Sequence, residues 1–219
     1  MEPGHHFDMA IKGLHQTILK MGSLVEDAVR KSVIAFGTDN CTLADQVISD
    51  DAVIDALQID LENSAMRIIA SEQPVARGLR ELVTVTRIAA NLERIGDHAR
   101  HIAKSVHSIP MEVREIALPS VKLMSDVGIG MMHDSLSAFV EQNVEAARQV
   151  AERDDAIDAE RRVLYGRLIT MMKENPEWID HGVSLMFLNR FLERLGDHVT
   201  DVCQWVVFTE SGEYVELNK

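Results

Sequence analysis

The sequence predicts an all-α protein built from two tandem three-helix bundles, six long antiparallel helices in all. Three observations carry this. The heptapeptide Leu92-Glu93-Arg94-Ile95-Gly96-Asp97-His98 returns, with Leu for Ile, as Leu192-Glu193-Arg194-Leu195-Gly196-Asp197-His198 at an offset of 100 residues. Apolar residues recur at steps of three and four over long stretches, the period of a helix face. The chain has only 5 prolines and 5% aromatic residues, which suits long helices better than sheets.

The first helix runs from Phe7 to Phe36, with Ile11, Leu14, Ile18, Met21, Val25, Ala28 and Ala35 at helical spacing. Gly37-Thr38-Asp39-Asn40 ends it and offers caps for the next. The second helix runs from Thr42 to Ser71 and is closed by Pro74, since proline disfavours helix in the residue before it. The third spans Val75 to Ser108. The pattern then restarts. Met21-Gly22-Ser23 matches Met124-Ser125-Asp126, and Ile54-Asp55-Ala56 matches Ile157-Asp158-Ala159, both at an offset of 103. Offsets that differ only across turns mark a duplicated three-helix unit, residues 1–110 and 111–219. Gly128, Gly130 and Pro119 predict irregularity in the fourth helix.

The third helix carries the clearest core stripe: Val85, Ile88, Leu92, Ile95, Ala99, Ile102 and Val106. Its counterparts, Leu185, Leu188, Leu192, Leu195, Val199, Val202 and Val206, are all apolar. This is the seam of a left-handed bundle.

A net charge of −13 argues against nucleic-acid partners, because phosphate backbones repel such a chain. Cys41 and Cys203 form no paired motif, so reduced thiols in a cytoplasmic protein are expected. Met1-Glu2-Pro3-Gly4-His5-His6 lacks the basic start and apolar run of a signal peptide. No apolar stretch is long enough to span a bilayer, so membrane contact is expected only through partners.

On the third helix, Glu93 lies about 100° and Asp97 about 140° around from Leu92. Both carboxylates therefore leave the core seam on one face, one turn apart. The second helix offers Asp51 and Asp55 at the same spacing, and the second repeat offers Asp154 with Asp158 and Glu193 with Asp197. Neighbouring antiparallel helices could merge each two pairs into a patch of four carboxylates. Such a patch must take up protons or find cations, and all-oxygen donors suit hard cations. Gly96 and Gly196 let a neighbour approach closely. His101 and Asp201 extend the acidic row as additional ligands or supporting residues, whereas His98 and His198 point to a surface or inter-bundle position.

The paired heptapeptides, with Asp51-Ala52-Val53-Ile54-Asp55 and Met21-Gly22-Ser23-Leu24-Val25-Glu26, resemble the signature of the PhoU family from about Phe7 to Phe208. The resemblance implies two three-helix bundles in a cytoplasmic accessory regulator of the phosphate-specific ABC transporter. It implies restraint of phosphate uptake and of starvation signalling, through the transporter ATPase and a sensor histidine kinase. It also implies metal clusters, of iron, manganese or zinc, on Asp51, Asp55, Glu93 and Asp97 and on Asp154, Asp158, Glu193 and Asp197. The family often has Asn where this chain has His101 and Asp201. The sequence leaves a homodimer open. It also leaves two other readings: a metal-dependent hydrolase or oxidase on the same carboxylates, or a metal-free helical scaffold. The lack of a nucleophile–base pair, a Gly-rich phosphate loop and HExxH favours a non-enzymatic role.

Overall fold

A computed structural model describes residues 3–218, with side chains from His6 onward. Met1, Glu2 and Lys219, which the two repeats were expected to include, lie outside the described residues. So do the side chains of Pro3, Gly4 and His5 in the N-terminal stretch.

The first repeat is α1 (Pro3–Thr38), α2 (Cys41–Glu72) and α3 (Arg77–Ser105). The second is α4 (Met111–Glu141), α5 (Val144–Ala151) with α6 (Asp154–Glu174), and α7 (Ile179–Ser211), preceded by a 3-10 turn at Pro176–Trp178. Among the described residues there is no strand. The duplication extends to the caps. Asn40 Oδ1 accepts from the Leu43 amide and Asn143 Oδ1 from the Ala146 amide, each at 3.0 Å. The residue before each, Asp39 and Gln142, is in the left-handed region at φ 55° and 59°. Each such side-chain cap contributes about 1 kcal/mol.

Both predicted stripes are buried from end to end. They form one core continuous with Ile18, Met21 and Val25 of α1 and Val121 and Met124 of α4. The repeats meet where α3 packs on α7 and α1 on α4, so the two bundles share their hydrophobic interior. Among the described residues no helix is long and apolar enough to cross a membrane.

Two local expectations are corrected. α4 stays helical from Met111 to Glu141 despite Pro119, Gly128 and Gly130. Pro119 faces solvent, so water can satisfy the carbonyl whose partner amide is missing. Gly128 gives room to the buried Leu195, whose Cδ2 lies 2.1 Å from where a Cβ would stand. The irregularity falls instead in the middle helix of the second repeat, which breaks at Glu152 and Arg153 between α5 and α6. Arg153 there reaches across to Asp134 and lies against Gly130.

Candidate functional site

Asp51 and Asp55 lie one turn apart on α2, and Glu93 and Asp97 one turn apart on α3. The two helices pack together. Gly96 makes the approach close: a Cβ there would stand 3.2 Å from Ile54 Cδ1 and 3.7 Å from Asp51 Oδ1. Asp51 is buried, and its pKa is raised by loss of water and by the charges of Asp55 and Asp97, although Arg100 opposes the shift. The Glu93 carboxyl is raised by burial, then by Asp97, Asp55 and Asp51, against the pull of Arg94. The four predicted carboxylates therefore sense one another across two helices. Arg100 stands among them. Its Nε lies 3.0 Å from Asp51 Oδ2 and its Nη2 pairs with Asp97. Arg94 lies on the outer side, 3.3 Å from Asp97 and 3.4 Å from Glu93.

The second repeat rebuilds this patch with a different balance. Gly196 is even more closely approached, since a Cβ would meet Asp154 Oδ1 at 2.0 Å. The α5–α6 break places Asp154 at the first position of α6. A helix N-terminus favours a carboxylate, yet the opposite influence wins. Burial, followed by the charges of Asp197 and Asp158, pushes the Asp154 pKa up to about 7. Asp197 is also raised, by burial and then by Glu193. Here the arginines hold Glu193: Arg161 Nε lies 3.3 Å away, and Arg190 pairs with its other oxygen. Among the described residues, Asp154 has only the amide of Asn218, at 3.5 Å, from the C-terminal segment beyond α7.

The glycine geometry gives a test. Alanine at a helical glycine gains about 1 kcal/mol of helix propensity, while overpacking opposes it by about 1–3 kcal/mol. Gly96→Ala is expected to leave stability nearly unchanged. Gly196→Ala is expected to be less stable than it by about 1–2 kcal/mol in urea denaturation, since the buried Asp154 must move.

The remaining predicted residues face elsewhere. His98 and His198 lie at the α3–α7 seam, ring centroids 5.6 Å apart, with His98 also stacked on Phe191 at 5.2 Å. Both are kept neutral: burial, chiefly, lowers each pKa to about 4. His101 stacks on the other part of the same seam, 4.7 Å from Phe191. Asp201 accepts from Asn91 Nδ2 at 2.8 Å and from the Tyr214 hydroxyl at 3.1 Å. Arg100, Arg161, Arg190 and Asn218 had not been singled out. Arg100, Arg161 and Arg190 could have been, because each is three residues from a motif carboxylate on its own helix. Asn218 carries no such signal.

The donor chemistry suits a hard cation: two sets of carboxylates, four members with pKa values raised by burial and mutual repulsion, and glycines that clear the space between helices. As the side chains stand, no group of three or more His, Cys, Asp or Glu among the described residues is arranged to hold a metal ion. In the first repeat Arg100 supplies the compensating positive charge. In the second no cation lies within salt-bridge distance of Asp154 among the described residues.

Comparison with known proteins follows the same duplication. The PhoU domain model matches residues 18–106 and again 121–206. The chain is 33% identical over 213 residues to a phosphate-specific transport system accessory protein PhoU homolog of Clostridium acetobutylicum, covering 97% of each chain. It is 35% identical to the corresponding homolog of Zymomonas mobilis, over 94% of this chain and 87% of that one. Its fold is similar to the crystal structure of the phosphate transport system regulatory protein PhoU from Streptococcus pneumoniae. The TM-score is 0.89 and the identity 29%, over 96% of this chain and 100% of that one.

Proposed function

Because this chain belongs to the PhoU family, we propose that it is a cytoplasmic, non-enzymatic regulator of phosphate uptake and of phosphate-starvation signalling. It acts through the ATPase subunit of the phosphate transporter and through a sensor histidine kinase. The observation that carries the reading is likeness over nearly the full length to proteins named as accessory to phosphate-specific transport. Each repeat also carries an acidic patch between its second and third helices.

In this reading Asp51, Asp55, Glu93 and Asp97 hold metal ions in the first repeat, and Asp154, Asp158, Glu193 and Asp197 in the second. Iron is the leading candidate, with manganese and zinc as the others. The bound cation would supply positive charge that relieves carboxylate repulsion across two helices. For this, Arg100 must swing away from Asp51 and Asp97, while Arg161 and Arg190 must release Glu193. Asp154 must give up a proton, so metal uptake at the second patch strengthens as pH rises.

Deletion of the gene tests the regulatory part. In phosphate-rich medium the deletion strain should over-accumulate phosphate and express phosphatase; unchanged uptake and phosphatase would refute it. Elemental analysis of purified protein tests the metal part independently. Metal retained by the wild type and lost in Asp51→Asn/Asp154→Asn is the expected result.

A further inference from the structure

The duplication supplies an internal control for the surface, because what the bundle itself requires should recur in both repeats. One apolar groove does not recur. It lies between α6 and α7, has a volume of about 450 Å³, and is lined by Tyr165, Met172, Met186 and Phe187 with Arg161 and Arg190. Phe187 is 62% exposed and Tyr165 51%. At the offsets of 103 and 100 that align the repeats, the first repeat has Glu62 for Tyr165, Thr86 for Met186 and Arg87 for Phe187. It also has Gln58 for Arg161 and Ala90 for Arg190. Those positions are satisfied internally: Gln58 donates to Glu62 at 3.0 Å, and Arg87 lies over the Trp205 ring at 5.3 Å. Packing of the bundle thus does not demand the apolar version, and two exposed aromatics beside one another mark an interaction surface.

We propose that the α6–α7 groove docks an amphipathic helix of a partner protein, with its apolar face in the groove and carboxylates beside that face. The charge pattern selects this occupant. The groove lining contains two guanidiniums and no carboxylate, in a chain of net charge −13. Relative to the first repeat, Arg161 and Arg190 replace Gln58 and Ala90 in the lining while Phe187 replaces Arg87 and Tyr165 replaces Glu62, so the groove gains two cations and loses one cation and one carboxylate, a net change of +2. A groove between two helices receives a third at anchors spaced i, i+4 and i+7. A symmetric contact with a second copy would set Arg161 and Arg190 against themselves. The docking also reaches the acidic patch. Arg161 and Arg190 now hold Glu193, and a partner carboxylate would draw them off and free Glu193.

The inference rests on the regulatory reading only for the choice of protein tested. p-Benzoylphenylalanine is incorporated in place of Phe187 in the full chain, in cells expressing the cognate phosphate transporter. After irradiation the cross-linked peptide is sequenced by mass spectrometry, with incorporation at the exposed Met66 of the first repeat as background. The expected adduct is a helical segment with apolar residues at i, i+4 and i+7 flanked by Asp or Glu. It should fall at least tenfold on Tyr165→Glu or Arg190→Ala, which install residues the first repeat already folds with. An adduct on a second copy of this chain, on lipid or on a basic segment would overturn the proposal, as would no adduct above background. Loss of the adduct in wild type with the transporter ATPase still co-purifying condemns the groove and leaves the regulatory reading standing. Unchanged phosphate uptake on gene deletion condemns that reading, while an acidic-helix adduct on another identified protein still supports the groove.

Discussion

Arg114→Met is expected to destabilise the protein by about 3–5 kcal/mol, because it leaves two backbone carbonyls at a buried site without their donor. At about 2–4 °C per kcal/mol for a chain of this size, thermal denaturation should shift down by about 6–20 °C. Arg114 is 1% exposed. Its Nε donates to the Ile109 carbonyl at 2.8 Å and its Nη1 to the Phe36 carbonyl at 2.7 Å. Its Nη2 pairs with Asp39, and its guanidinium lies 5.7 Å from the Phe36 ring centroid. One side chain thus closes the end of α1, the link before α4 and the turn into α2. Methionine fills similar volume but leaves two carbonyls without a donor, each a loss of about 1–3 kcal/mol. Arg114→Lys should recover little, since an ammonium cannot donate along the fork of a guanidinium. Asp39→Asn should change stability by no more than about 1 kcal/mol, because that carboxylate is 59% exposed. Equal losses in Arg114→Met and Asp39→Asn would show that the ion pair, and not the carbonyl capping, is what matters.

The second large effect is expected at Asp154, as a fall with rising pH in the stability of the wild type relative to Asp154→Asn. Its native pKa of about 7 stands above the ordinary value of 3.8. Between those values the native state holds a proton that the unfolded state has lost, so stability declines as pH rises through this window. At 1.36 kcal/mol per unit, this group alone removes about 2–3 kcal/mol between pH 5 and pH 8. Asp154→Asn should flatten that slope and raise the melting temperature at pH 8. A metal ion offers the wild type the same relief. Manganese or ferric iron added at pH 8 should therefore raise the melting temperature of the wild type and do so less in Asp154→Asn. Because the neutral, buried His98 and His198 add stability as pH rises toward 6.5, the reading is the difference between wild type and Asp154→Asn. A difference that stays level from pH 5 to pH 8 in chelator would contradict the burial and repulsion assigned to Asp154. A metal response that survives Asp154→Asn intact would place the cation elsewhere.

Much of this was readable in the chain. The stripe from Val85 to Val106 and its copy from Leu185 to Val206 are buried because a spacing of three and four can place side chains on only one side of a helix. The carboxylate pairs were readable for the same reason, since residues four apart share a face. Gly96 and Gly196 signalled close approach, and they do admit Ile54 and Asp154 respectively. Other features had no local signature. Arg114 lies among Val113, Glu115 and Ile116 like any solvated helix charge, and its counterpart in the first repeat is Ile11. The α5–α6 break falls at Glu152-Arg153, with neither glycine nor proline, while Pro119, Gly128 and Gly130 leave their helix whole.

The sequence by itself determined the six-helix duplicated plan, the two buried seams, and the eight carboxylates in four pairs, because each depends on periodicity within one helix or on repetition. Only the tertiary structure decided which charges those carboxylates meet. Arg100 enters the first patch from α3. Arg161 and Arg190 take Glu193 in the second, while Asn218 reaches Asp154 from beyond α7. The same division explains the α6–α7 groove, whose aromatic and arginine residues come from two helices. The physical reason is range. A helix face is set by bonds between residues four apart, whereas the charge state of a carboxylate is set by water loss and by neighbours within a few ångströms, wherever the chain has brought them from.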